Sequence, residues 1–294
     1  MNPLPVYLVL RGGLGNQLFM FASALSEVKK VNRKLQLISR WYLEQNWDGV
    51  QEANKRFLEL NNFPRISAIN SHLTNKFELF LYLIFKFAWK YGDKYAMFVC
   101  KNLDDETVSI GHIKPFIVHG YMQNPAVFAL NRNELKSYLH LNDEVEEKVR
   151  NYIEVLKTNG KRLIALHVRR GDNKKNYGPD YRLSLKHYER CLEQMNYDLH
   201  QVIVFSDEID LCKKLFHDRD FHFVTETNPA VTLKMLSYCD DFILSVSTFS
   251  WWGAWLSDSQ GKRVMFPNIL DANSNWNNLA AGNWIKIEAE FEQQ

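Results

Sequence analysis

The sequence predicts an α/β protein of two domains, the second built on a parallel, doubly wound sheet. Three observations carry this. The chain has 294 residues, more than one ordinary α/β core takes up and suited to two, at roughly 100–200 residues per domain. Short continuous apolar runs alternate with amphipathic helical patterns, most regularly after residue 160, as strands buried on both faces require. The unusual clusters of glycine, arginine and hydroxyl residues follow directly on those runs, where parallel sheets present their ligand-binding loops.

Residues 6–10 form a short apolar strand, broken by Gly12-Gly13-Leu14-Gly15. The next segment keeps Leu18, Phe21, Ala22, Leu25 and Val28 at spacings of three and four, the period of a buried helical face. Residues 35–38 read as a second strand and 116–119 as another, while 41–112 reads mostly as helix or loop. Asn142 or Asp143 caps a helix through Val145, Val149, Tyr152, Ile153 and Leu156. Asn159-Gly160 can end a helix, so the expected domains are 1–157 and 158–294. In the second, strands are expected at 163–168, 202–205, 221–224, 242–246 and 264–266. Helical patterns run between them through Leu185, Tyr188, Leu192 and Met195, then through Leu233 and Leu236.

Composition narrows the function. Apolar residues are 46% and charged residues 24% of the chain, a globular balance. A formal charge of +2 with no long basic run gives nucleic acid no footing. The cysteines at 100, 191, 212 and 239 form no Cys-x-x-Cys pair and the histidines show no metal spacing, so no metal is expected. Asp218-Arg219-Asp220 matches a metal-holding string but precedes a strand rather than following one, and reads as a solvated turn. Residues 1–11 resemble a first strand, not a signal peptide, and the expected location is cytoplasmic. The segment bounded by Phe77 and Trp89 holds an uncharged run at 79–85, too short for the about 20 apolar residues of a bilayer span. It reads as a buried helix, with a patch resting on the inner face of the membrane as the alternative.

Four clusters carry chemistry. In the first, 11–19, Gly15 and Asn16 follow a strand and open a helix, which suits an anion. Leu18 stands where a dinucleotide fingerprint needs glycine, and Ser39-Arg40 where it needs an acidic residue. A structural turn and a ligand loop stay open. The second, His167-Val-Arg169-Arg170-Gly-Asp172, ends the most apolar strand. Adjacent arginines on an extended backbone point to opposite sides, so one faces the ligand crevice and the other braces the sheet, and an arginine fork suits a diphosphate. The third, Ser247-Thr248-Phe249-Ser250 before Trp251-Trp252, offers hydroxyls and a helix start to phosphate oxygens; the tryptophans read as core. The fourth is Asp207, positioned to read a base or ribose or to cap a helix.

Taken in order, Gly12-Gly-Leu-Gly-Asn-Gln-Leu-Phe19, His167-Val-Arg-Arg-Gly-Asp172, Phe205-Ser-Asp207 and Ser247-Thr-Phe-Ser-Trp-Trp-Gly-Ala-Trp-Leu256 resemble the α-1,2-fucosyltransferase family and its α-1,6- and protein O-linked relatives. Asn173 and Val246 depart from the residues usual there. The resemblance implies two Rossmann-like domains facing across a cleft (the GT-B arrangement). It also implies transfer of fucose from GDP-fucose to a galactose-containing glycan, with inversion and no metal or other cofactor. Arg169 would stabilise the leaving diphosphate with Asp172 as candidate base. Gly15, Asn16, His167, Arg170, Asp207, Ser247, Thr248, Phe249 and Ser250 would hold the donor. The same enzyme class with another linkage or donor sugar is the near alternative. An NAD-dependent oxidoreductase and an inert carbohydrate-binding protein, the latter suggested by the eight tryptophans, are the distant ones.

Overall fold

In the computed structural model, the described residues are 4–45, 55–70, 75–91, 99–100, 116–157, 160–171, 181–270 and 275–292. They fall into two compact units, Met1–Asn142 and Asp143–Gln294.

The first unit holds a parallel sheet in the order β2-β1-β4-β3, with β1 Val6–Val9, β2 Leu35–Ile38, β3 Val99–Cys100 and β4 Ile117–Val118. Between β1 and β2 runs α1 (Leu14–Lys30), which is buried on nearly every side from Leu14 to Val28 and not on one face only. Its polar residues are therefore spent internally. Ser23 donates to the Met122 carbonyl at 3.0 Å, and Ser26 accepts from Asn131 at 2.9 Å. The stretch that carried no strand signal contains α2 (Trp41–Glu44), α3 (Pro64–Asn70) and α4 (Asn75–Tyr91). Helix α4 sets Leu81, Tyr82, Phe85 and Ala88 against Val9, Ile38, Trp41 and Ile117. Helix α5 (Arg132–Tyr138) follows β4.

The second unit is a six-stranded sheet, parallel at every pairing, in the order β10-β9-β8-β5-β6-β7. Its strands are β5 Leu163–Val168, β6 Gln201–Ser206, β7 His222–Phe223, β8 Asp241–Ile243, β9 Val264–Asn268 and β10 Ile285–Glu288. Every residue of β5 is buried, as a central strand covered on both faces must be. The helices are α6 (Asp143–Leu156), α7 (Leu185–Gln194), α8 (Ile209–Leu215), α9 (Pro229–Ser237) and α10 (Thr248–Leu256). The units divide ahead of the expected break at 157/158. Helix α6 packs on α9, where buried Glu146 pairs with Lys234 at 2.8 Å and accepts from the Tyr238 hydroxyl at 2.9 Å.

From β5 the chain winds outward through β6 and β7, then returns to the other side of β5 as β8 and winds out through β9 and β10. The reversal falls between β5 and β8. A doubly wound sheet opens its ligand crevice outside the carboxyl ends of the strands at such a point.

Candidate functional site

Three of the sequence clusters meet at that reversal. His167 is the penultimate residue of β5, and its Nδ1 lies 2.7 Å from the Ser245 hydroxyl just beyond β8, so one hydrogen bond spans the switch point. Burial drives the His167 pKa well below its ordinary value; the Asp207 charge opposes this and the Arg169 charge adds to it. The ring is therefore neutral at physiological pH, and the guanidinium of Arg169 and the carboxylate of Asp207 both lie within its field. The Phe249 ring sits 5.8 Å from that of His167.

Asp207 follows β6, and its carboxylate reaches back across the sheet to the arginine loop. One oxygen accepts from the Arg170 N–H at 2.8 Å and the other from the Gly171 N–H at 3.0 Å. A Cβ on Gly171 would stand 3.0 Å from that second oxygen, a tight contact that glycine avoids. The N-cap of α8 is Glu208 and makes no side-chain capping bond, so Asp207 is not spent as a helix cap. It is spent on the loop that carries Arg169.

The two arginines separate as adjacent residues of an extended strand should. Arg170 is 5% exposed and donates to Glu292, which also lies 3.7 Å from Arg182. Its Nε and Nη2 are buried without a hydrogen-bond partner among the described residues. Arg169 is half-exposed. Asp172 and Asn173 lie outside the described residues.

The serine cluster builds the start of α10. Ser247 is the N-cap and accepts from the Phe249 N–H at 3.3 Å, while buried Ser250 donates to the Ser247 carbonyl at 3.0 Å. These hydroxyls hold the turn, leaving Thr248 and Phe249 as its half-exposed residues. No acidic residue occupies the first turn of α10, so nothing there neutralises the positive end of the helix dipole. The tryptophans pack inward as expected: Trp251 and Trp252 are fully buried, and the Trp251 indole donates to the Leu279 carbonyl at 2.7 Å. These two tryptophans therefore line no sugar surface.

In the first unit, Gly12 has φ +77°, a left-handed conformation that favours glycine, and its carbonyl accepts from the Gln17 amide and the Tyr42 hydroxyl. Gly15 is buried in the first turn of α1, and half-exposed Asn16 accepts from the Gln123 amide at 3.1 Å. The sequence reading missed Gln17. Fully buried, it also donates to the Phe57 carbonyl and accepts from the Glu59 and Leu60 N–H groups. A glutamine inside an otherwise apolar helical face was the signal. Among the described residues, no group of three or more His, Cys, Asp or Glu is placed to hold a metal. Asp218 and Asp220 lie exposed in a turn.

Fold and site together define an α/β protein with an arginine loop, a neutral histidine and a helix start gathered at one sheet reversal, a setting for an anionic ligand. The family model described as "Glycosyl transferase family 11" matches residues 83–288, and the chain belongs to that family: it is a glycosyltransferase. Two relatives are similar along their whole length and a third over about half of its own. One is the O-antigen biosynthesis glycosyltransferase WbnK of Escherichia coli, 25% identical over 96% of this chain and 100% of its own. Another is an alpha-1,2-colitosyltransferase of Escherichia coli, 26% identical over 95% and 97%. The third is the galactoside 2-alpha-L-fucosyltransferase Sec1 of Mus musculus, 24% identical over 55% and 49%.

Proposed function

We propose that this glycosyltransferase transfers L-fucose from GDP-fucose to O2 of a terminal galactose in a glycan, by single displacement with inversion and without a metal. The observation that carries the reading is the meeting of the Arg169 loop, His167 and the α10 start at the β5/β8 reversal. The donor sugar and linkage are supported by the four ordered motifs and by the name of the mouse relative. The acceptor oxygen attacks the anomeric carbon as its bond to the β-phosphate oxygen breaks. GDP leaves carrying the electron pair, and the acceptor proton passes to a base, for which Asp172 is the candidate. Charge grows on the β-phosphate, where Arg169 and the positive end of α10 stabilise it without reorganising, as a magnesium ion does in other enzymes. Thr248 and Phe249 border the phosphate and nucleoside, and Gly15 and Asn16 are the residues of the first unit assigned to the donor. The reaction is assigned to the cytoplasm, consistent with Cys191, Cys212 and Cys239 being free buried thiols.

A second reading changes the sugar only. Colitose is fucose without its 3-hydroxyl, and the relative of slightly higher identity is named for it. Thermal unfolding with GDP, GDP-fucose, UDP-galactose and NAD, each with and without EDTA, tests the donor class. A ligand at 100 times its dissociation constant adds about 2.7 kcal/mol. Stabilisation by GDP and GDP-fucose that survives EDTA is expected, followed by transfer to a galactoside. Stabilisation by NAD alone, or by UDP-galactose only with metal, overturns the reading. Transfer of colitose in preference to fucose establishes the second.

A further inference from the structure

Helix α4 is apolar on both faces. Inward, Leu81, Tyr82, Phe85 and Ala88 sink into the core of the first unit, each at most 4% exposed. Glu78 is buried with them and accepts from the Ser39 backbone N–H and hydroxyl. The opposite face of such a helix is ordinarily polar. Here it presents Phe80 at 57%, Leu83 at 54% and Phe87 at 49% exposure, spaced by three and four along one stripe, with Phe77 at its border. Scattered exposed apolar residues need no explanation, but a contiguous stripe does.

The charges that α4 itself carries on this side have one sign. Lys76 and Lys90 stand at the two ends of the stripe, Lys86 turns aside to Glu44 at 4.0 Å, and the helix's one acidic residue, Glu78, is on the buried face. A second copy of the chain seated on the stripe by a two-fold axis would bring both sets of lysines together, so self-association does not suit it. An anionic surface does. No helix among the described residues is long and apolar enough to cross a membrane, and α4, with 17 residues, suits lying on a bilayer.

We propose that α4 docks the protein on an anionic phospholipid surface. Phe80, Leu83 and Phe87 enter the boundary between headgroups and acyl chains, and Lys76 and Lys90, at the two ends of the stripe, meet lipid phosphates. The inference goes beyond the assigned reaction, and vesicle binding is read without donor, so either can fail alone.

The test is flotation of the full chain with vesicles of phosphatidylcholine alone and of phosphatidylcholine mixed with phosphatidylglycerol. Binding to the mixed vesicles that weakens with salt is expected. The double variant Phe80→Ser, Leu83→Ser should bind about tenfold more weakly or worse. Lys76→Gln should cost about fivefold, the equivalent of about 1 kcal/mol per basic residue at such a surface. Both variants alter exposed side chains, and an unchanged thermal midpoint and unchanged transfer to a soluble acceptor verify that they fold. No flotation of the parent chain, equal flotation of the double variant, or a concentration-dependent dimer that the double variant abolishes in place of vesicle binding overturns the proposal.

Discussion

Asp207 offers the sharpest test of the site, because its carboxylate touches the arginine loop through backbone alone. Asp207→Ala removes the acceptors of the Arg170 and Gly171 N–H groups. Hydrogen bonds to a charged acceptor contribute about 1.5–3 kcal/mol each. Asp207 is exposed, so water screens and replaces part of this, and about 2 kcal/mol in total is the reasonable loss. If that energy holds Arg169 in register with the leaving phosphate, kcat/KM for the donor falls about thirtyfold, at 1.36 kcal/mol per factor of ten. Asp207→Asn keeps one acceptor and should fall roughly halfway on a logarithmic scale. The decisive assay is a double-mutant cycle. With Arg169→Ala in place there is no guanidinium left to position, so adding Asp207→Ala should cost little more. Fully additive losses would refute the reasoning and assign Asp207 a contact of its own, such as the base or ribose.

Two further predictions follow from the same frame. A Cβ on Gly253 would stand 1.8 Å from Leu236 Cδ2, where α10 crosses α9. Overpacking of about 1–3 kcal/mol then exceeds the about 1 kcal/mol of helix propensity that alanine gains. Gly253→Ala should lower the thermal midpoint by a few degrees, at about 2–4 °C per kcal/mol, and the penalty should vanish in a Leu236→Ala background. The second concerns pH. Burial lowers His119 and His187 to about 4, with the charges of Arg11 and Arg190 adding to the effect and backbone hydrogen bonds opposing it. The unfolded chain therefore takes up these protons first, near pH 6.5. The stability they confer is complete above pH 6.5 and is lost as pH falls towards 4, roughly 3 kcal/mol for each. Urea midpoints measured across that range should fall with acidity, and His187→Asn should flatten the slope; a slope unchanged by the substitution refutes the assignment.

Much of the second unit was legible because its strands are continuous apolar runs: the expected 163–168 coincides with β5, and β6 and β9 extend their expected spans by a residue or two. Strand β10 was not, and the reason is physical. It is an edge strand, Ile-Lys-Ile-Glu, with only Ile287 buried, so it lacks the two-sided burial that produces a run. Helix α9 was legible from Leu233 and Leu236, and Asn228 caps it, accepting from the Ala230 and Val231 N–H groups ahead of a first-turn proline. Of the site, the positions of Arg169, His167 and Ser247 at strand ends followed from periodicity. The bonds that organise them did not. Asp207 and the Arg170 amide are far apart in sequence, and whether a carboxylate after a strand reads a ligand or a backbone depends on which strand lies beside it. That is a matter of sheet order, which one-dimensional patterning does not contain.

The same sheet order explains why the second unit can keep polar groups half-engaged at one end. At the amino ends of its strands, Asp241 is fully buried and accepts from Arg162 at 3.1 and 3.2 Å and from the backbone N–H of Arg263 at 2.7 Å. Burial alone would raise its pKa, but these partners outweigh it and hold the carboxyl below its ordinary range. Breaking such a buried pair costs about 3–5 kcal/mol, so the charge there is fully committed to the fold. At the carboxyl ends the logic reverses. Arg170, paired with Glu292, keeps two buried donors without a hydrogen-bond partner among the described residues, the α10 dipole faces no acid in its first turn, and His167 stays neutral beside Arg169. An anionic ligand at this end would add a favourable interaction with the α10 start. A sheet anchored at one end by a satisfied ion network can leave a helix start without an acidic partner at the other, and that is the end where the proposed donor phosphates would sit.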